Sequence, residues 1–241
     1  MRFGSHCHQA AVAGILEGNM REAIKIDIWS DIACPWCYIG KRNFDNALTQ
    51  LSQQDEPPRV EVAFHSFQLS PDSPIDLAQT DIDARMKARG LTQADAEAMM
   101  ERVTEAAATA GLAYRMDLSH PTNTARAHAL THFAAQHGQQ LPLMERLMSA
   151  HLCEGIHIGH IDNLVRLAEE AGLDPAEARA ALEHGTYDDA VTQDRAQAAQ
   201  YGITSVPTFV FNERAAISGA QPTEVFTQII RQLWDKQNTA S

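Results

Sequence analysis

Positive charge is the first thing this sequence lacks. Lysine and arginine number 19 against 31 aspartates and glutamates, for a formal net charge of −12. Nucleic-acid backbones and anionic membrane surfaces both repel such a chain, so neither is expected as its main partner. Long apolar runs are missing too. Hydrophobic residues make up 44% of the chain, yet no stretch approaches the roughly eighteen residues that a membrane-spanning helix requires. Cysteine is scarce: Cys7, Cys34, Cys37 and Cys153 are too few for a disulfide scaffold. A single CxxC among them points to chemistry instead of stapling.

What remains is a globular composition. A chain of 241 residues can bury a substantial core and suits one large domain, or a domain with an insertion, better than two independent folds. Residues 1–19 hold one arginine and a short apolar patch, Ala10 to Leu16, without the long apolar core and small-residue cleavage site of a signal peptide. The segment is expected to be disordered or an extension, with Cys7 incidental and the protein cytoplasmic.

Ile24, Ile26 and Ile28 alternate with Lys25 and Asp27 over residues 23–29, which predicts a strand ending at Ser30 and Asp31. Phe44, Leu48 and Leu51 then recur at helical spacing, and RVEVAFHSF at 59–67 predicts a second strand after the turn signal Pro57-Pro58. From about Leu77 to Gly202 the composition turns to Ala, Glu, Gln and Leu, with glycines that can end helices, predicting six or seven of them. Strand character returns at 208–212 and in AAISG, and a helix with Val225, Phe226, Ile229, Ile230 and Leu233 on one face closes the chain. The order β-α-β, helical block, β-β-α is an α/β fold carrying an insertion.

The CxxC lies in DIACPWCYIG, residues 31–40, at a strand-to-helix junction. Cysteines at i and i+3 share a helix face and come within disulfide reach. Cys34 at the helix N-terminus meets unpaired amides and the positive end of the dipole, which favour its thiolate and make it the nucleophile. Pro35 suits the first helical position, and Trp36 beside it adds no cation or imidazole. Cys37, one turn deeper, suits the role of resolving thiol. A structural zinc site needs a second such pair, so no metal site is expected, although Cys153 sits among His151, His157 and His160. His128 and His132 share a helix face without the glutamate of HExxH and read as a solvated or hydrogen-bonded pair. Asp27 offers a carboxylate for proton transfer from Cys37, but its alternation suits a solvent-facing strand residue better.

YGITSVPTFVFN, residues 201–212, sets Pro207 directly before a β-rich run, where a proline marks a strand start or turn. Together with CPWC this resembles the DsbA family of thioredoxin-fold enzymes. SDIACPWCYIGK, FHSFQLSP, EEAGLD and ISGAQPTEVF resemble its FrnE branch over residues 24–236. The resemblance implies a thioredoxin fold with a large inserted all-helical domain: residues 20–76 and 201–241 supply the fold and 77–200 the insertion. It further implies a cis Val206-Pro207 loop facing the CxxC, with Val206 offering backbone bonds to an extended thiol substrate and Thr208 opening the next strand. Unlike some members of that branch, the C-terminal RQLWDKQNTAS carries no second cysteine pair.

These readings converge on a thiol-disulfide oxidoreductase for protein or peptide substrates, cycling through a Cys34-Cys37 disulfide with no tightly bound cofactor. The alternative is the neighbouring group of kappa glutathione transferases and 2-hydroxychromene-2-carboxylate isomerases, which typically carry serine in place of Cys34. There glutathione would be the co-substrate, held by Ser218 and by backbone amides such as that of Gly219, residues that serve equally as a strand-to-helix cap. A chaperone-like peptide binder without turnover is the third reading.

Overall fold

A computed structural model describes residues 22–78 and 90–239 of the chain. Four strands form one mixed sheet in the order β2-β1-β3-β4: β1 Ile24–Ser30, β2 Val60–Ser66, β3 Thr208–Phe211 and β4 Ala215–Ser218. β1 pairs parallel with β2 and antiparallel with β3, and β3 pairs antiparallel with β4. A parallel neighbour needs a crossover, which helix α1, Pro35–Ser52, supplies.

Between β2 and β3 the described residues hold six α-helices: α2 Gln93–Thr109, α3 Ala125–Gln136, α4 Gln140–Cys153, α5 Ile161–Glu170, α6 Pro175–Glu183 and α7 Asp188–Gln200. α8, Thr223–Thr239, packs beside α1. The strand bounds fall within a residue or two of the sequence prediction, and the fold is the thioredoxin-like α/β architecture with a helical insertion.

The register fixes what each sheet face carries. Ile26 opposes Phe211 and Ile28 opposes Phe209, so the isoleucines of β1 and the phenylalanines of β3 share one face. Phe44 of α1 and Phe226 of α8 close over Phe209, with ring centroids 5.5 and 4.6 Å from it. The other face carries Asp27, Trp29, His65 and Val210, against which α7 packs with Asp194 and Ala198. β2, the outer strand, has its edge covered by Gln140, whose amide exchanges both backbone bonds with Phe64 at 3.0 and 2.9 Å.

Candidate active site

β1 delivers the chain through Asp31 into α1, and Cys34 is the N-cap of that helix, with Pro35 opening its first turn. The Cys34 amide donates to the Asp31 carbonyl, and the Cys34 carbonyl accepts from the Cys37 amide at 3.0 Å. Both cysteines are free thiols and both are buried, Cys37 almost wholly. The two thiols are driven apart. A hydrogen bond from Cys37, aided by the Cys37 and Trp36 amides, holds the Cys34 thiol below its ordinary value, although burial and the Asp31 charge oppose it. Burial pushes the Cys37 thiol well up, and Cys34 adds to the rise. The Ser30 hydroxyl is the polar group beside the Cys37 sulfur. Trp36, 44% exposed, stands at the surface next to them.

The second half of the site comes from β3. Thr208 pairs with Trp29 at the end of β1 that leads to Cys34, so the residues before Thr208 lie at that same end of the sheet. There the Val206-Pro207 peptide is cis, and the Val206 backbone has no hydrogen-bond partner among the described residues. α1 abuts this loop so closely that a Cβ added at Gly40 would lie 2.9 Å from Pro207 Cγ and 3.4 Å from Ala220 Cα. Gly40 is a site-shaping residue that sequence reasoning missed, because a helical glycine gives no sign of what approaches it.

Ser218 and Gly219 do sit beside Pro207, but their polar groups are engaged. Ser218 Oγ shares a 2.8 Å hydrogen bond with Thr208 Oγ1, and the Gly219 amide donates to the Pro207 carbonyl at 2.7 Å. In this conformation the Gly219 amide is engaged by Pro207 and not open to a ligand.

The helical block reaches into the site from above. Tyr114 donates its hydroxyl to the Pro35 carbonyl at 2.7 Å and stacks on Tyr38. Tyr38, Lys41 and Arg42 converge on Glu145 of α4, each at 2.6 Å, tying α1 to the insertion. Asp31, 3% exposed, accepts from the Leu69 amide at 2.8 Å and meets His128 Nε2 at 3.4 Å. Burial pushes the Asp31 carboxyl up, but the His128 bond and the Leu69 amide more than offset it and leave it below the usual carboxylate range. The buried acid next to the cysteines is thus Asp31. Asp27, weighed from the sequence as a proton acceptor or a solvated residue, is neither: it is half-buried and bonds His65 Nε2 at 2.8 Å on the other sheet face.

A cavity of about 380 Å³ opens from Asp31 and Ala33 toward Met116, Ser119, Thr122 and His151 of the insertion. Burial holds the His151 imidazole down at about 4, so it stays neutral there. Cys153 is only partly buried; desolvation and then Glu154 push its thiol up, the opposite of a sensing cysteine. Cys7 lies outside the described residues.

The family model for the DSBA-like thioredoxin domain matches residues 25–231. The chain belongs to that family. YwbO of Bacillus subtilis, an uncharacterized protein, is 30% identical over 209 residues, 86% of this chain and 96% of that one. A probable DsbA oxidoreductase from Streptomyces coelicolor, known by crystal structure, is 38% identical with a TM-score of 0.79, covering 88% of this chain and 90% of its own. The cytosolic disulfide reductase DsbM of Pseudomonas aeruginosa, 18% identical with a TM-score of 0.61 over 87% and 98% of the two chains, shares the fold. Among the described residues of this DsbA-like chain, no helix is long and apolar enough to cross a membrane.

Proposed function

We propose that this protein is a cytoplasmic dithiol-disulfide oxidoreductase in which Cys34 is the nucleophile and Cys37 the resolving thiol. The observation that carries the reading is geometric: Cys34 is the N-cap of α1, Cys37 lies almost wholly buried with its amide on the Cys34 carbonyl, and the cis Val206-Pro207 peptide lies at the same end of the sheet. The Cys34 thiolate attacks one sulfur of a substrate disulfide, breaking that bond, forming a mixed disulfide and releasing the first substrate thiolate. Cys37 then loses its proton and attacks the Cys34 sulfur, which frees the second substrate thiolate and leaves the Cys34-Cys37 disulfide. Two electrons pass from the protein to the substrate, and a low-molecular-weight thiol returns them. DsbM was solved with glutathione, which supports glutathione as that thiol.

An extended peptide suits the site because the Val206 amide and carbonyl have no partner among the described residues and stand at the end of β3 as a short template for backbone pairing. A reducing cytosol favours disulfide reduction or isomerisation over bulk oxidation. In a peptide-disulfide reduction assay, C34S should lose turnover entirely, whereas C37A should accumulate mixed disulfides visible by mass spectrometry. Retained turnover in C34S would overturn the mechanism. Glutathione conjugation without any Cys34-Cys37 disulfide would put the transferase or isomerase reading in its place.

A further inference from the structure

Away from the dithiol, the described residues bring an aspartate from one loop and two histidines from another into one cluster. Asp76 follows the segment after β2, His157 lies between α4 and α5, and His160 is the N-cap of α5. Asp76 Oδ1 is 2.9 Å from His160 Nε2 and 3.5 Å from His157 Nε2. One ligand atom from each of the three residues falls within 4.8 Å of the others. The two imidazole rings lie 4.2 Å apart, and His120 stacks on His157 at 5.5 Å.

The surrounding chain holds this arrangement. A Cβ at position 159 would collide with Thr122 Oγ1 at 2.3 Å and meet His157 Cε1 at 3.0 Å, so only glycine lets the 157–160 turn place both rings side by side. Asn163 donates to the His157 carbonyl at 2.9 Å and Arg126 to the Gly159 carbonyl at 3.2 Å. Thr122 donates to the Ile75 carbonyl at 2.7 Å, pinning the residue before Asp76 to the same framework. A ligand set whose backbone is braced from several sides is what a preorganised site requires.

From this geometry we infer that Asp76, His157 and His160 form a binding site for a divalent transition-metal ion of the zinc class. Two imidazole nitrogens and one carboxylate oxygen suit such an ion, whereas calcium and magnesium prefer oxygen ligands throughout. Asp76 is 75% and His160 48% exposed at the side chain, so the remaining coordination position opens to water or a small exogenous ligand. His157 Nδ1 accepts from the Gly159 amide at 3.1 Å, so its proton is on Nε2. Ligation through Nε2 requires the imidazole to shift that proton to Nδ1 and give up the Gly159 hydrogen bond.

Leu77, Ser119, Pro121 and Thr122, neighbours in sequence of Asp76 and His120, line the cavity that starts at Asp31 and Ala33. The ion would therefore tie together two loops at the rim of that cavity, the one carrying Asp76 and the 157–160 turn.

The test is zinc titration of the full chain in a C34S/C37S background, which removes thiolate competition, with a chromophoric chelator reporting affinity. The H157A/H160A pair should bind one equivalent fewer than its parent, or bind that equivalent more than about a hundredfold more weakly. D76N, a change at an exposed residue, should weaken it about tenfold with an unchanged melting temperature in the absence of zinc, and it carries the test alone if the histidine pair fails to fold. Equal stoichiometry and affinity in parent and variants, or no zinc bound by the parent, would overturn the site.

Discussion

The two faces of the central sheet are built by opposite means. On one, Ile24, Ile26, Ile28, Phe209 and Phe211 meet α1 and α8 through apolar contact alone, with Phe44 and Phe226 wedged over Phe209. On the other, a half-buried charge cluster joins the sheet to α7. His65 bonds Asp27 through Nε2 at 2.8 Å and Asp194 through Nδ1 at 3.0 Å, while Asp194 also meets His132 Nε2 at 3.0 Å and accepts from the Ser66 amide at 2.6 Å. Trp29 roofs the cluster, stacked 4.4 Å from His65, and donates its indole N–H to the Asp194 carbonyl. The apolar face can be stabilised by any well-packed hydrophobe. The polar face works only while each charge keeps its partner, and that makes its strength depend on pH.

The sharpest contrast comes from truncating each face in turn. Phe209→Ala removes a fully buried ring and should cost about 4 kcal/mol by chemical denaturation, by the same amount at every pH tested. Asp194→Ala leaves His65, His132 and the Ser66 amide without their acceptor and should cost about 3 kcal/mol near neutrality. Burial opposes ionisation of Asp194, but the His132, His65 and Ser66 bonds hold its carboxyl well below the usual range. Its contribution is therefore present above the ordinary carboxylate value and fades as the pH falls through the folded one. The gap between Asp194→Ala and the parent should narrow in acid, and a constant gap would put the cluster on the same footing as the apolar face.

The alkaline limb tests His65. Burial lowers the affinity of His65 for its proton, but Asp194 and Asp27 outweigh it and raise the imidazole to about 9. A raised histidine stabilises fully below its unfolded value of about 6.5. That contribution is lost as the pH climbs through about 9. Asp27→Asn should give the smallest effect, about 1 kcal/mol near neutrality, and bring the alkaline loss to lower pH. Melting temperatures across roughly pH 5 to 10 would show both, and an Asp27→Asn profile superimposable on the parent would remove Asp27 from the account.

The apolar face was legible in the residue pattern itself. Alternation of Ile24, Ile26 and Ile28 marked β1, and the Val225, Phe226, Ile229, Ile230 and Leu233 stripe marked α8. CPWC was legible for the same reason, as a contiguous motif at a strand-to-helix junction, whereas the cis Val206-Pro207 loop was expected from the resemblance to the DsbA family. The polar face was not. Asp27 read as solvent-facing because alternation tells which side of a strand a residue takes and not what lies opposite. Its partner His65 came from β2, and Asp194 arrived on α7 from far along the chain. His128 and His132 read as a solvated or hydrogen-bonded pair; both are bonded, to two different carboxylates, Asp31 and Asp194, that the spacing does not name.

Taken alone, the sequence determined the elements, their order, the apolar side of β1 and the cysteine pair at a helix start, because short-range periodicity, capping and turn chemistry act between residues a few positions apart. Tertiary structure alone decided which carboxylate met which imidazole, how closely Gly40 of α1 meets Pro207, that the Gly219 amide is engaged by Pro207, and that Asp76 joins His157 and His160. Each of these depends on the docking of elements distant in sequence, and the same local pattern would have been satisfied whichever face had come to meet it.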